Sequence, residues 1–391
     1  MSRFNLHSAL SLIRSKSYCL WVGAGVTKHL TEGRSPSWEE LVKELEVRAE
    51  LVSPDFDCSF TERLEVVKSK LGRALFQKEL RKTIIIPLTE SVAQIAKNFS
   101  EPFSMPPAAK QIACLGTVAN SIVNFNIESI TSVLLAKPSG PYQIKVFQPL
   151  VPGASSIKSS SGSYKNGQYR RSVYHPHGSI DISGLCVLTQ TDYKAMQGTL
   201  AFQLACHAAF QEVLVIVGMS LEDEYLRKQI EGFRSQIGTV IWFVSDDPSD
   251  ETRKWAWKNS INMIKGSWSK FWQAVEQKLP CPDAENLLHS WHDAVHRCFE
   301  MKKERNINPF AEHDVFPTEW QLMNENRGLD YPTNSFDHTE LDEEQAQLTL
   351  SYLKALSYLS EKSNSDETGM KNHPRTKKTP VDYSSQEEGS F

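Results

Sequence analysis

Five short apolar runs, separated by helical patterns, constrain the fold more than any other feature of this sequence. Each run is rich in Val, Ile, Leu or aromatic residues, and several end in glycine or a polar residue: CLWVG (19–23), SIVNFN (121–126), VYHPHG (173–178), VLVIVGMS (213–220) and VIWFVS (240–245). Short apolar runs alternating with helices are typical of strands buried on both faces of a parallel sheet. The pattern therefore predicts an α/β fold, with a parallel sheet covered by helices and a helical region following it.

Two helices can be placed with particular ease. In SPSWEELVKELEVRAEL, Ser37 stands at the expected N-cap and Glu40 follows three residues later, which is the pattern of a capping box. The segment PPAAKQIACLGTVAN predicts a second helix that leads into the next strand. By contrast, the segment Val151–Arg171 is rich in serine and glycine, which predicts a long mobile loop.

The strand signals stop near Cys281, and amphipathic helical patterns follow. We therefore divide the chain into a first domain of residues 1–278 and a helical C-terminal region of residues 279–361. The remaining residues, 362–391, contain few apolar side chains and mixed charge, which predicts a disordered tail.

Composition is that of a soluble globular protein. The 391 residues are 40% hydrophobic and carry a formal net charge of -4, so no basic excess points to nucleic acid or an anionic membrane. The seven cysteines form no CxxC pair, which argues against a disulfide framework and a zinc ribbon. The N-terminal stretch is interrupted by charged residues, and no later stretch reaches the ~20 apolar residues of a membrane-spanning helix. We therefore expect a cytoplasmic protein.

The first apolar run leads directly into Gly23, Ala24 and Gly25, followed by Thr27 and Lys28. A Gly-x-Gly turn after a strand lets the backbone approach a pyrophosphate, and the N–H groups of a following helix favour the same anion. The third glycine of the G-x-G-x-x-G pattern is missing, because Lys28 occupies its place. From these residues alone, a phosphate-binding loop and an ordinary strand-to-turn junction both remain open.

Three later strand ends carry polar residues at the edge where open α/β sheets place their ligands. Asn124 and Asn126 follow the second run, and they either face a ligand or cap the next helix. His177 suits a general base, or a group that orients a ribose hydroxyl, although a structural role is open for it and for His175. After the fourth run, a small residue, a hydroxyl and a carboxylate face the same crevice: Gly218, Ser220 and Asp223.

Taken in order, GAGVT, PSWEELVKEL, VNFN, HPHGSI with VLTQTDY, and VGMSLEDEYLR resemble the sirtuin-like domain family, especially its bacterial branch in antiphage defence proteins. The resemblance covers about the first 245 residues, and it depends on the order and spacing of several motifs. It implies a Rossmann-like domain that binds NAD as its substrate.

Matching motif to motif, the resemblance also implies roles for individual residues. Asn124 and His177 would serve the nicotinamide ribose and carry the catalysis. The phosphate side would be lined by Gly23, Ala24, Gly25 and Thr27. The rest of the NAD-binding set would be Asn126, Gly218, Ser220 and Asp223, the last of which fits a structural role as readily.

Two departures from the family pattern bear on the activity. The family usually has an aspartate where this chain has Asn126, and that residue helps to hold the nicotinamide amide. Deacylating sirtuins also carry a four-cysteine zinc module that this sequence lacks, so we expect no metal. The resemblance therefore favours an NAD glycohydrolase that releases nicotinamide and ADP-ribose and depletes NAD during phage infection. A non-catalytic NAD or ADP-ribose sensor is the alternative, and an NAD-dependent protein deacylase is the weaker one.

An NAD-depleting enzyme must be silent until it is triggered, so a regulatory element is expected. The sequence offers the helical region after Cys281, the serine-rich segment Val151–Arg171, a homo-oligomer interface, or a separate sensor or activator protein.

One histidine cluster remains, in LLHSWHDAVHRCF. His289, His292 and His296 fall on one face of a helix, and Cys298 follows nearby. Imidazoles so placed can bind a transition metal, but the interleaved aromatic residues favour a packed helix.

Overall fold

A computed structural model of the chain describes residues 5–16, 18–51, 58–98, 105–140, 142–148, 156–161, 171–180, 185–197, 213–244 and 247–304. These residues belong to the first of two units into which the chain divides, residues 1–337. The second unit, residues 338–391, lies outside the described residues, and so does the predicted tail of residues 362–391.

The strands are β1 (Tyr18–Val22), β2 (Ala119–Asn124), β3 (Tyr142–Gln148), β4 (Ser156–Ser161), β5 (Arg171–His175), β6 (Gly178–Ser179), β7 (Leu185–Cys186), β8 (Val213–Val217), β9 (Thr239–Val244) and β10 (Ile261–Lys265). The helices are α1 (Leu6–Ser15), α2 (Ala24–Leu30), α3 (Trp38–Arg48), α4 (Phe60–Leu71), α5 (Arg73–Asn98), α6 (Pro107–Thr117), α7 (Ile130–Ala136), α8 (Gln190–Gln197), α9 (Glu224–Phe233), α10 (Asp250–Lys258), α11 (Trp268–Lys278) and α12 (Ala284–Glu304).

Within the described residues, the main sheet has eight strands in the order β10-β9-β8-β1-β2-β5-β3-β4. All neighbouring pairs are parallel except β3 and β4, which are antiparallel. The short strands β6 and β7 form a separate antiparallel pair. The prediction of a parallel, Rossmann-like α/β sheet is confirmed, and each of the five predicted runs forms a strand.

The two faces of the sheet are both covered, as the continuous apolar runs require. In β1, Tyr18, Leu20 and Val22 pack into the larger hydrophobic cluster, whereas Cys19 and Trp21 pack into the smaller one on the opposite face. This alternation follows from the two-residue period of a strand. Because every residue of β1 and β8 is buried, neither strand shows the polar alternation of a half-exposed sheet.

Three strands of the sheet escape the sequence pattern. The expectation that Val151–Arg171 is a mobile loop is wrong for Ser156–Ser161, which forms β4 along the edge of the sheet; residues 151–155 and 162–170 lie outside the described residues. An edge strand needs backbone partners on one side only, so a polar serine-rich sequence is compatible with it. Strands β3 and β10 also lack a continuous apolar run.

Helix α3 begins where its predicted cap places it. Ser37 is the N-cap of α3 and forms the predicted capping box with Glu40. Within the described residues, no helix is long and apolar enough to cross a membrane.

Helix α12 is the described part of the predicted C-terminal helical region. It packs against α5 and α7, and four of its side chains belong to the larger core cluster: Trp291, Ala294, Val295 and Cys298. The proposed boundary after residue 278 therefore precedes a helix that shares the core of the first domain. The three-part division of the chain stays a prediction.

Candidate functional site

The polar residues predicted from the sequence lie at the carboxyl ends of four neighbouring parallel strands, β8, β1, β2 and β5. The strands that follow β1 in the sequence, beginning with β2, lie on one side of it. The later strands β8, β9 and β10 lie on its other side. The strand order therefore reverses between β1 and β8. Such a switch point opens a crevice at the carboxyl edge of a sheet, which is the usual ligand site of doubly wound folds.

The glycine turn after β1 packs directly on the turn after β8. Gly23 is the N-cap of α2, and its N–H donates to the Val217 carbonyl over 3.1 Å, while the Gly25 N–H donates to the Gly218 carbonyl over 2.9 Å. A Cβ atom on Gly25 would lie 2.7 Å from the Gly218 Cα, and Gly218 itself has a φ of +71°. The glycines are therefore required here for close approach of two backbones.

Lys28, at the place of the missing third glycine, points away from this contact. Its Nζ lies 2.8 Å from a carboxylate oxygen of Glu40 in α3. The hydrogen bond from Lys28, with those from Ser37, lowers the pKa of Glu40 to about 2. The third glycine of the dinucleotide pattern serves close packing of helix on strand, and α2 achieves its packing here with a lysine turned toward α3.

Asn124 lies at the end of β2 and is completely buried. Its Nδ2 donates to the Ser132 hydroxyl over 2.8 Å, and its Oδ1 accepts from the Asn126 N–H over 2.9 Å. Ser132 in turn lies 2.7 Å from His175 Nε2, and His175 Nδ1 lies 3.2 Å from the Asn126 carbonyl. Asn124 and His175 thus each contact the backbone of Asn126, and the Ser132 hydroxyl joins the two side chains.

Asn126 is half-buried and faces the glycine turn. Its Nδ2 donates to the Gly23 carbonyl over 3.2 Å and to the Thr27 hydroxyl over 2.9 Å. Thr27, predicted to line the phosphate side, is buried, and its hydroxyl donates to Glu128 over 2.8 Å. The Thr27 hydroxyl is therefore hydrogen-bonded within the protein, where it joins α2 to the residues that follow β2.

Glu128 is a residue of this site that sequence reasoning missed. It is 3% exposed, and its carboxylate also accepts from the N–H and the hydroxyl of Thr131. A buried carboxylate normally requires such hydrogen-bond donors. An acidic residue two positions after the NFN motif was the available signal, but the motif draws attention to the amides.

His177 lies beyond the end of β5 among aromatic rings. Its Nε2 is 3.0 Å from the Tyr193 hydroxyl, and its ring meets the Phe125 ring edge-on at a centroid distance of 5.2 Å. Burial lowers the pKa of His177 to about 4, a hydrogen bond with the Phe125 backbone acts in the opposite direction, and nearby His175 lowers it further. The imidazole is therefore neutral at physiological pH.

The turn after β8 holds the remaining predicted residues. Ser220 is exposed, and its hydroxyl accepts from the Glu222 N–H over 3.4 Å. Asp223 directly precedes α9, and its carbonyl accepts from the Arg227 N–H over 3.1 Å. Glu222, which the sequence did not single out, accepts hydrogen bonds from Ser249 and Thr252 and so joins this turn to α10.

Helix α12 reaches the loop that follows β2. Arg297 Nη1 donates to the Ser129 hydroxyl over 3.2 Å, and Ser129 is the residue after Glu128. The histidine face of α12 lies close to this contact in sequence. Among the described residues, no group of three His, Cys, Asp or Glu side chains is arranged to hold a metal ion.

These features define a doubly wound α/β protein with a glycine turn and buried amides at its switch point. Residues 120–264 match the family model of the SIR2-like domain, from the start of β2 to β10, so the glycine turn lies outside the matched range. No curated protein matched the chain.

Several solved structures are similar to this chain, including the following two. One comes from work on the structural basis for the mechanism and regulation of Sir2 enzymes. It is 12% identical in sequence, the match covers 70% of this chain and 96% of the other chain, and the TM-score is 0.37. The other, a crystal structure of a Sir2 homologue in complex with NAD, is 12% identical, covers 74% of this chain and 94% of its own, and has a TM-score of 0.32.

Proposed function

We propose that this chain is an NAD glycohydrolase that cleaves NAD to nicotinamide and ADP-ribose. The observation that carries the proposal is the pair of hydrogen bonds from Asn126 to Gly23 and Thr27. They join the end of β2, inside the SIR2-like range, to the glycine turn at the switch point of the sheet. The crevice thus combines a backbone turn suited to a pyrophosphate with amides and a neutral imidazole suited to a ribose.

Cleavage of the nicotinamide–ribose bond passes through an oxocarbenium-like state, and nicotinamide leaves without strong acid catalysis. The protein therefore needs mainly to position the ribose and the attacking water. In the proposal, Asn124 holds a ribose hydroxyl or the water, and His177 accepts its proton. Loss of such a base typically lowers the rate ~10²–10⁴-fold. Because the pKa of His177 is about 4, positioning carries more of the catalysis than basicity does.

The described arrangement is closed and must open for NAD. Asn124 is fully buried, and the Gly25 N–H donates to the Gly218 carbonyl. Pyrophosphate binding requires this N–H to exchange that carbonyl for a phosphate oxygen, with Gly23, Ala24 and Gly25 on the phosphate side. Ser220 and Asp223 belong to the segment between β8 and α9, and in the proposal the adenosine half binds there.

A closed site suits an effector that is silent until triggered, as expected of an NAD-depleting protein in antiphage defence. The contact of Arg297 with Ser129 joins α12, the described part of the predicted C-terminal region of residues 279–361, to the site loop. Assembly into a homo-oligomer or binding of a separate activator protein would act through such a contact.

The second candidate is a sensor that binds NAD or ADP-ribose without cleaving it. The observation in its favour is the lowered pKa of His177, since a neutral, weakly basic imidazole limits proton transfer more than it limits binding.

The test is to incubate the purified full-length protein with NAD, with and without an acylated peptide, and to measure nicotinamide and ADP-ribose. Release of both without the peptide supports hydrolysis, whereas release that depends on the peptide indicates a deacylase. Saturable NAD binding without release of nicotinamide indicates the sensor, provided that release is also absent at high protein concentration and after co-expression with proteins encoded by neighbouring genes. Asn124→Ala should abolish the release, and Asn262→Ala in β10 is the matched control that should retain it.

A further inference from the structure

Two cysteines from distant parts of the chain meet beside the core. Cys114 lies in α6 and is completely buried, whereas Cys281 lies between α11 and α12 and is exposed. Their Sγ atoms are 2.9 Å apart, across 167 positions of sequence. This is closer than the usual van der Waals separation of even carbon atoms, about 3.5–4 Å.

Helix α6, which carries Cys114, and helix α11, which ends just before Cys281, are held together around this pair. Gln111, one turn before Cys114, donates to Glu276 of α11 over 3.1 Å. Lys110, the preceding residue, forms an ion pair with the same carboxylate at 2.8 Å. The approach of the two sulfurs is therefore part of the packing between α6 and α11, and does not depend on the connecting segment alone.

The two thiols differ in their exposure to solvent. Burial, and then the neighbouring Cys281, raise the pKa of Cys114, while the positive charge of Lys110 acts in the opposite direction. Cys114 is thus a protonated thiol that solvent does not reach. Cys281 is exposed, so a small disulfide in solution can reach its sulfur.

We infer that Cys114 and Cys281 form a reversible thiol–disulfide site that exchanges with low-molecular-weight disulfides such as oxidised glutathione. Cys281 loses its proton and its sulfur attacks one sulfur of the small disulfide, which forms a mixed disulfide and releases a small thiolate that takes up a proton to give the first small thiol. Cys114 then loses its proton and attacks Cys281 Sγ, forming the Cys114–Cys281 bond and releasing the second small thiol. The protein is oxidised by two electrons, and the small disulfide is reduced to two thiols.

The bond would tie α6 to the segment that leads into α12. Through Gln111, which lies 2.8 Å from His29 Nε2, α6 also contacts the end of the glycine-turn helix α2. His29 stacks in parallel on Trp272 of α11, with ring centroids 4.3 Å apart. Oxidation would therefore constrain the packing of α6 and α11 against the end of α2, the helix that begins in the glycine turn. Intracellular disulfides are usually of this transient, redox-sensing kind.

The test is to equilibrate the full-length protein with glutathione buffers from reducing to oxidising, block remaining thiols by alkylation, and map disulfides by mass spectrometry without reductant. The expected product is a peptide pair joining Cys114 to Cys281, which dithiothreitol reverses, together with a rise in the melting temperature of about 5 °C. Absence of this pair in the oxidising buffer, or linkage of Cys281 to another cysteine, overturns the inference.

Two variants and a control assign the roles. Cys114→Ser should accumulate the glutathione adduct on Cys281, because the second step is blocked, and Cys281→Ser should lose the linkage. Cys58→Ser changes the other exposed cysteine among the described residues, and this control should keep the linkage between Cys114 and Cys281. An equal amount of Cys281 adduct in the wild type and in Cys114→Ser also overturns the inference. None of these readouts requires NAD turnover.

Discussion

The side-chain amide of Asn126 donates a hydrogen bond to the hydroxyl of Thr27 over 2.9 Å. The same amide donates to the Gly23 carbonyl. An aspartate at this position has no N–H to give, so the asparagine that departs from the family pattern is the residue that links β2 to the glycine turn.

Asn126→Asp should therefore destabilise the fold, although it restores the side chain that the family usually carries. It removes both donated bonds and brings a negative charge toward the Gly23 carbonyl and Glu128. We expect the free energy of unfolding in urea to fall by about 1–3 kcal/mol. Asn126→Ala, which loses the bonds without adding charge, is the control and should be less destabilised. Wild-type stability in Asn126→Asp would contradict the donor role.

Gly25→Ala should disrupt the contact between the two turns. The added Cβ would lie 2.7 Å from the Gly218 Cα, and neither backbone can move away cheaply. The expected loss of stability is about 1–3 kcal/mol, measured by denaturant unfolding. Gly232→Ala is the matched control, since that glycine lies in α9 with open space around its Cβ position. The control should be neutral or more stable by up to about 1 kcal/mol.

Glu128→Gln should show whether the buried carboxylate organises the site. Its two oxygens accept three hydrogen bonds from Thr27 and Thr131, and glutamine offers only one acceptor oxygen. The free energy of unfolding should fall by about 1–3 kcal/mol. Glu39→Gln, which removes an exposed ion pair with Lys43, should cost less than about 1 kcal/mol. Similar losses in both variants would show that Glu128 has no special role.

His177 should make the protein less stable in mild acid. The folded-state pKa of about 4 lies below the ordinary value of 6.5, so the unfolded chain takes up the proton first as the pH falls. This effect costs no stability above pH ~6.5. As the pH falls from ~6.5 toward ~4, the free energy of unfolding decreases progressively, and the decrease is about 2 kcal/mol at pH ~5.

Urea unfolding between pH ~7 and pH ~5 measures this effect. His177→Asn should show a shallower fall in stability with acid than the wild type, by about 2 kcal/mol over that range. The exposed His7→Asn is the control and should follow the wild-type curve. Parallel curves for all three proteins would mean that His177 is not the group responsible.

Much of the fold follows from the sequence because a buried strand leaves a local trace. Strands β1 and β8 are apolar at every position, and both were predicted. Strands β3, β4 and β10 were missed, because lysine, serine or asparagine interrupts their apolar pattern. Their pairing depends on the neighbouring strand, which a local pattern does not contain.

The candidate site divides along the same line. Sequence order and strand ends selected Asn124, Asn126, His177 and the glycine turn, because residues after parallel strands must share one edge of the sheet. The sequence did not indicate that Gly25 packs on Gly218, or that Glu128 holds Thr27. Both contacts join residues about a hundred or more positions apart in the sequence, and the local sequence around either residue does not indicate its partner.

The sequence by itself determined the α/β class and the edge of the sheet at which the polar residues gather, since both follow from local periodicity and parallel pairing. Only the tertiary structure decided the state of that edge. It shows a glycine turn closed against β8, Asn124 buried among hydrogen bonds and His177 held neutral by burial. These properties depend on desolvation and on contacts between distant segments, which exist only after the chain has folded.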